Sequence, residues 1–80
     1  MTYDIQHQPD QQRFVLLKAG HECVLEYRLS QQNIDFSHTY VPFRLRGQGL
    51  AEVLVEHGLE WARSQGYDIE ASCWYVNKFL

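Results

Sequence analysis

Six residues in mid-chain, Arg44-Leu45-Arg46-Gly47-Gln48-Gly49, combine cations with bare backbone just before an apolar-periodic run. A helix N-terminus carries N–H groups with no partner inside the helix, and the helix dipole adds positive potential there. Glycine leaves no side chain to hold a ligand away from those groups. Arg44 and Arg46 can add charge-assisted hydrogen bonds, so the segment suits a small anion such as a phosphate. Gly-x-Gly before a helix also serves as a plain turn and cap, and the spacing leaves both readings open. No Gly-Lys-Ser/Thr follows, which excludes a Walker loop, and the third glycine of the dinucleotide fingerprint is absent. His38 is a second candidate: an imidazole titrates near neutrality and suits a base or an acid. A single histidine on a strand face also serves structure, and Asp35, on the other face, is a weaker candidate. His7, His21 and His57 have no metal-ligand spacing, so no metal is expected.

Positioning these side chains falls to elements that the hydrophobic pattern outlines. "TYDIQHQ" alternates, "PDQQ" reads as a turn, and "RFVLLKA" is a short apolar run suited to a covered strand. Gly20-His21 makes a tight reversal. "ECVLEYRL" alternates Cys23, Leu25, Tyr27 and Leu29 against polar partners, and Cys23 reads as packing. After "SQQN", "IDFSHTYV" places Ile34, Phe36, His38 and Tyr40 on one face. Short turns between successive strands predict a four-strand antiparallel meander. The period then changes. Leu50, Val53, Leu54, His57, Gly58, Trp61 and Ala62 form one stripe of a helix of about 16 residues, ended near Gly66. "YDIEASCWYV" resumes an extended pattern, and "VNKFL" has room for one helical turn. A fifth strand after a helical crossover can lie parallel to the fourth. The expected fold is therefore α+β: meander, one long helix packed on one sheet face, then a parallel fifth strand.

The 80 residues are expected to form one small domain, 1–80. A hydrophobic fraction of 45% and an aromatic fraction of 14% belong to a folded globule. The net charge of −3 argues against nonspecific nucleic-acid binding, which needs a basic surface. Cys23 and Cys73 form no close pair, so no disulfide framework is expected. The opening "MTYDIQHQPD" is polar and no apolar run approaches a membrane span, so the expectation is a cytoplasmic protein with reduced thiols.

The run Arg44 to Gly49 resembles the Arg/Gln-x-x-Gly-x-Gly/Ala signature of the GNAT superfamily of acetyl-CoA-dependent N-acetyltransferases. Its flanks fit too: Val41-Pro42 before it and Leu50-Ala51-x-x-Leu54-Val55 after it. The wider run over 37–76 is similar to a short, single-domain GNAT-like subfamily in which a His-Thr pair precedes the motif and a Cys-x-Tyr follows. The first three strands match by topology only. The resemblance implies that backbone amides from Arg46 through Gly47, Gln48, Gly49 and Leu50 to about Ala51 hold the pyrophosphate of coenzyme A, with Arg44 adding charge. It also implies that the pantetheine arm lies between splayed fourth and fifth strands, against the edge from Thr39 to Val41.

N-acetyl transfer needs a deprotonated amine, a donor for the thioester oxygen and an acid for the departing thiolate. Superfamily members often use a strand carboxylate as base and a tyrosine after the fifth strand as acid, a position that Tyr75 matches. His38 is the candidate base. Cys73, at the close of the fifth strand, is the candidate nucleophile, with His38 as its partner across the splay; its other reading is an inert buried thiol. Trp61 and Trp74 read as packing. The chain departs from the superfamily where a short turn replaces two helices after the first strand, and where the sixth and seventh strands are missing. The acceptor pocket is then shallow, built by a partner, or absent. The leading expectation is an N-acetyltransferase using acetyl-CoA and an unknown amine or protein lysine. The alternatives are a non-catalytic coenzyme A binding module and, behind it, an interaction domain with an idle motif.

Overall fold

The structure, a computed structural model, describes residues 3–80. Thr2, which the alternation assigns to the first strand, lies outside the described residues. The chain forms β1 (Asp4–Gln8), β2 (Arg13–Lys18), β3 (His21–Ser30), β4 (Asn33–Tyr40), α1 (Leu50–Gln65), β5 (Asp68–Glu70) and α2 (Trp74–Asn77). Short 3₁₀ turns at Pro9–Gln11 and Phe43–Leu45 join β1 to β2 and β4 to α1. The sheet runs in the order β1-β2-β3-β4-β5. Neighbours from β1 to β4 are antiparallel, and β5 lies parallel to β4. This is the expected α+β architecture of meander, helix and parallel fifth strand.

One sheet face carries the core. Phe14 and Leu16 on β2, Cys23, Leu25 and Tyr27 on β3, and Ile34 and Phe36 on β4 are all buried. Leu50, Leu54, Val55, Leu59 and Ala62 of α1 close over them. The helix stripe is rotated from the one the sequence predicts. Val55 and Leu59 are buried, Val53 and Trp61 are half-buried, and His57 is exposed. Gly58 explains the rotation, since a Cβ there would stand 2.6 Å from Leu25 Cδ2 and 3.1 Å from Phe36 Cε1. The bare backbone lets α1 sit directly on these two side chains, with Gly58 at the middle of the buried face. Among the described residues, no helix is long and apolar enough to cross a membrane.

Two local features differ from the sequence pattern, and both shape the site. The β3–β4 register shifts between Glu26 and Tyr27, so that Tyr27 opposes Phe36 but Glu26 opposes His38 and Leu25 opposes Thr39. Cross-strand partners share a sheet face, and one extra residue on β4 flips every residue beyond it. Thr39 therefore joins the helix-facing side with Leu25, while His38 turns to the other face with Glu26. The predicted single face of Ile34, Phe36, His38 and Tyr40 breaks at this bulge, and Tyr40 is 48% exposed. The second feature is the length of β5. The predicted strand over 67–76 pairs with β4 only through Asp68, Ile69 and Glu70. Its alternation of burial continues to Cys73, but the chain then coils into α2, with Cys73 as the helix cap.

Candidate functional site

β4 runs on to Tyr40 while its ladder with β5 ends at the Asp35–Glu70 pair. Two further links hold the chains together briefly. The Asp35 carboxylate accepts hydrogen bonds at 2.6 Å from both the Ser72 backbone N–H and the Ser72 hydroxyl. The Cys73 N–H donates to the Phe36 carbonyl at 3.1 Å. Beyond them the two segments part, and a groove of about 750 Å³ opens between the end of β4, the start of α1 and the stretch from Ser72 to Tyr75.

One end of this groove is the glycine loop. Leu45 is buried and anchors the turn before it. Arg46 Nε donates to the Val41 carbonyl at 3.0 Å, tying the loop to the end of β4. Gly47 and Gly49 have φ values of +83° and +74°, in the left-handed region that side chains disfavour. A Cβ at either would meet nothing within 4 Å, so the space over the loop is open. The first backbone bond of α1 runs from the Val53 N–H to the Gly49 carbonyl, and no side chain caps the helix. The N–H groups of Leu50, Ala51 and Glu52 thus precede the helical ladder as free donors. Gly49, Leu50 and Ala51 line the groove.

The other end holds the reactive side chains. Cys73 Sγ lies 3.6 Å from Thr39 Oγ1. Burial pushes the Cys73 thiol up. The backbone N–H of Val76, the Thr39 hydroxyl and the N–H groups of Tyr75 and Thr39 favour the thiolate and outweigh it, so the net direction is down. Burial, then the Glu52 carboxylate, raises the Tyr75 phenol, which stays protonated at neutral pH. Lys78 Nζ stands 5.2 Å over the Trp74 ring and 5.0 Å over the Tyr75 ring.

Of the sequence-derived candidates, His38, Thr39, Val41, Arg46, Gly47, Gly49, Leu50, Ala51, Cys73 and Tyr75 all line this groove. Arg44 and Gln48 do not. Arg44 sits exposed in the 3₁₀ turn, and Gln48 Oε1 accepts a hydrogen bond from Lys18 Nζ at 2.8 Å. The pairing expected across the splay is corrected: the thiol's side-chain neighbour is Thr39, because the bulge moves His38 to the exposed face at the rim. Tyr75 follows the fifth strand in sequence but projects from α2. Trp74, read as packing, is 73% exposed and lines the groove instead. Ser72 and Leu45 also line it. Neither carried a sequence signal, since the Asp35–Ser72 link joins residues 37 apart. Among the described residues, no three His, Cys, Asp or Glu side chains gather as a metal site. The groove joins a corner of bare glycine backbone and free helix N–H groups to a thiol with a favoured thiolate and a protonated phenol. That arrangement suits an extended ligand with a phosphate at one end and an acyl group at the other.

Known proteins share this arrangement of chain. Residues 13–80 match the family described as GCN5-related N-acetyl-transferase. Protein NATD1 of Bos taurus is 30% identical over 79 residues, covering 95% of this chain and 70% of its own. Protein NATD1 of Homo sapiens is 29% identical, with the same coverage of 95% and 70%. Among solved structures, a GCN5-like protein from Staphylococcus aureus, determined in solution by NMR, superposes with a TM-score of 0.73 at 25% identity, over 95% of this chain and 76% of that one.

Proposed function

Since the chain belongs to the GCN5-related N-acetyltransferase family, whose members generally use acetyl-CoA as co-substrate, we propose that it binds acetyl-CoA in the groove beside β4 and passes the acetyl group to an amine. The observation that carries this reading is the continuity of the groove, from the bare glycine loop at one end to Cys73 and Tyr75 at the other. The N–H groups at the start of α1 hold the pyrophosphate, with Arg46 and, from the adjoining turn, Arg44 supplying charge. The end of β4 and the residue after it, from Thr39 to Val41, offer backbone groups to the pantetheine amides. Bound there, acetyl-CoA supplies an acetyl thioester. Cys73 is placed to accept an acetyl group, since its thiolate is favoured by the donors around it. Tyr75 holds its proton and can donate it to a departing sulfur. His38, on the rim and open to solvent, can take a proton from an arriving amine.

A second reading, binding of coenzyme A or acetyl-CoA without turnover, is favoured by one observation. Only a 3₁₀ turn, Pro9–Gln11, joins β1 to β2, so no helices from that connection wall an acceptor site. Calorimetric titration with coenzyme A and acetyl-CoA tests what both readings share; no heat at millimolar ligand removes them both. Mass spectrometry after incubation with acetyl-CoA separates them. An adduct absent from Cys73→Ala, or an acetylated product from an amine panel, supports transfer. Tight binding with neither supports the module.

A further inference from the structure

Alternation along β2 places Phe14, Leu16 and Lys18 on the face toward α1. The first two are buried, and Lys18, at the strand's end, emerges beyond the core beside the segment that opens the helix. Its ammonium meets Gln48 Oε1 at 2.8 Å, 30 residues along the chain and between the two left-handed glycines. Gln48 does not line the groove, although Gly47 and Gly49 on either side of it do, so the pair stands at the loop but outside the groove lining. Lys18, Arg44 and Arg46 are three of the seven lysines and arginines in a chain whose net charge is −3, so positive charge is concentrated at this corner.

We infer that Lys18 is the residue that holds the ribose phosphomonoester of coenzyme A, a proposal that rests on the cofactor reading above. Coenzyme A carries that third phosphate outboard of its pyrophosphate. An exposed cation bonded to the loop that would hold the pyrophosphate is within reach of a phosphate carried beyond it. Lysine suits the task as a compact charge on a flexible stem. Its partner in the free protein is a neutral amide oxygen, and exchanging that for a phosphate dianion replaces a neutral hydrogen bond with a charge-assisted one. Both side chains are exposed, so the exchange needs no unpacking.

The experiment is calorimetric titration of coenzyme A and 3′-dephospho-coenzyme A into the wild-type protein, Lys18→Gln and Lys18→Arg. The wild type is expected to prefer coenzyme A by about five-fold, as fits one exposed ion pair. Lys18→Gln is expected to lower that ratio to near one by weakening coenzyme A alone, and Lys18→Arg to keep it. A wild-type ratio near one, or a ratio that survives Lys18→Gln, overturns the proposal while leaving the cofactor reading intact. Equal weakening of both ligands in Lys18→Gln also overturns it, and makes Lys18 a tether of the loop. Failure of the wild type to bind either ligand overturns both readings.

Discussion

Near the C-terminal end of α1, the Trp61 ring lies 4.5 Å from His7, 5.6 Å from Phe14 and 5.5 Å from Tyr27, centroid to centroid. Before its first turn, a Cβ added at Gly47 or Gly49 would meet nothing within 4 Å. One end of the helix is enclosed by rings and the other is left bare. The same contrast separates like residues. His7 stacks on Phe14 at 4.2 Å and shares a 2.6 Å hydrogen bond with the Tyr27 hydroxyl, whereas His38 stands exposed on the groove rim. Cys23 is fully buried and its thiol is pushed up by that burial, whereas Cys73 has donors around it that favour the thiolate. Packing takes side chains away from chemistry, and a binding surface has to be kept clear of packing.

If the two ends are separable, changes at one should leave the other's property alone. The largest expected effect is on stability. Phe14→Ala removes a fully buried ring and should cost about 3–5 kcal/mol, read from the urea unfolding midpoint. Affinity for acetyl-CoA in the molecules that stay folded should not change; a matching loss of affinity would break the comparison. Gly47→Trp is the converse. It should weaken acetyl-CoA binding at least about thirtyfold by filling the space over the loop, and cost only about 1–2 kcal/mol for the left-handed backbone. Calorimetry and thermal unfolding on one sample measure both.

A smaller effect concerns the thiols. Alkylation of Cys73 by iodoacetamide should rise with pH at a lower midpoint than an ordinary thiol's, while Cys23 stays unreactive in the folded protein. Thr39→Val removes one donor and should move the Cys73 midpoint upward. An unmoved midpoint would show that the backbone N–H groups of Val76, Tyr75 and Thr39 set the thiol without the Thr39 hydroxyl. The smallest expected effect is at His7, whose pKa is lowered from the ordinary 6.5 by burial and then by His57. Its neutral form is favoured on folding, so its contribution is present above pH 6.5 and is lost as the pH falls through the depressed folded value. His7→Gln should flatten that part of the stability–pH curve; an unchanged slope would place the titrating group elsewhere.

The meander, the long helix and the glycine loop were legible because each rests on local rules: period-two alternation, period-near-four alternation, and glycine where backbone must be bare. Several features were not. The bulge that turns His38 outward and Thr39 inward leaves no trace in β4's own alternation. The alternation through Cys73 predicts one long strand, and burial does alternate there, yet ladder pairing stops at Glu70. The stripe that the sequence predicts omits Val55 and Leu59, because Gly58's role depends on Leu25 and Phe36 beneath it.

By itself the sequence determined which segments are strands and helix, and that a glycine loop with bare backbone precedes the helix, because those properties depend on residues a few positions apart. Only the tertiary structure decided that Thr39 and not His38 meets Cys73, that Asp35 clamps Ser72, and that Lys18 reaches Gln48. Each of those contacts joins residues 30 or more positions apart. They are fixed by sheet register and by where α1 seats on the sheet, which local periodicity does not encode.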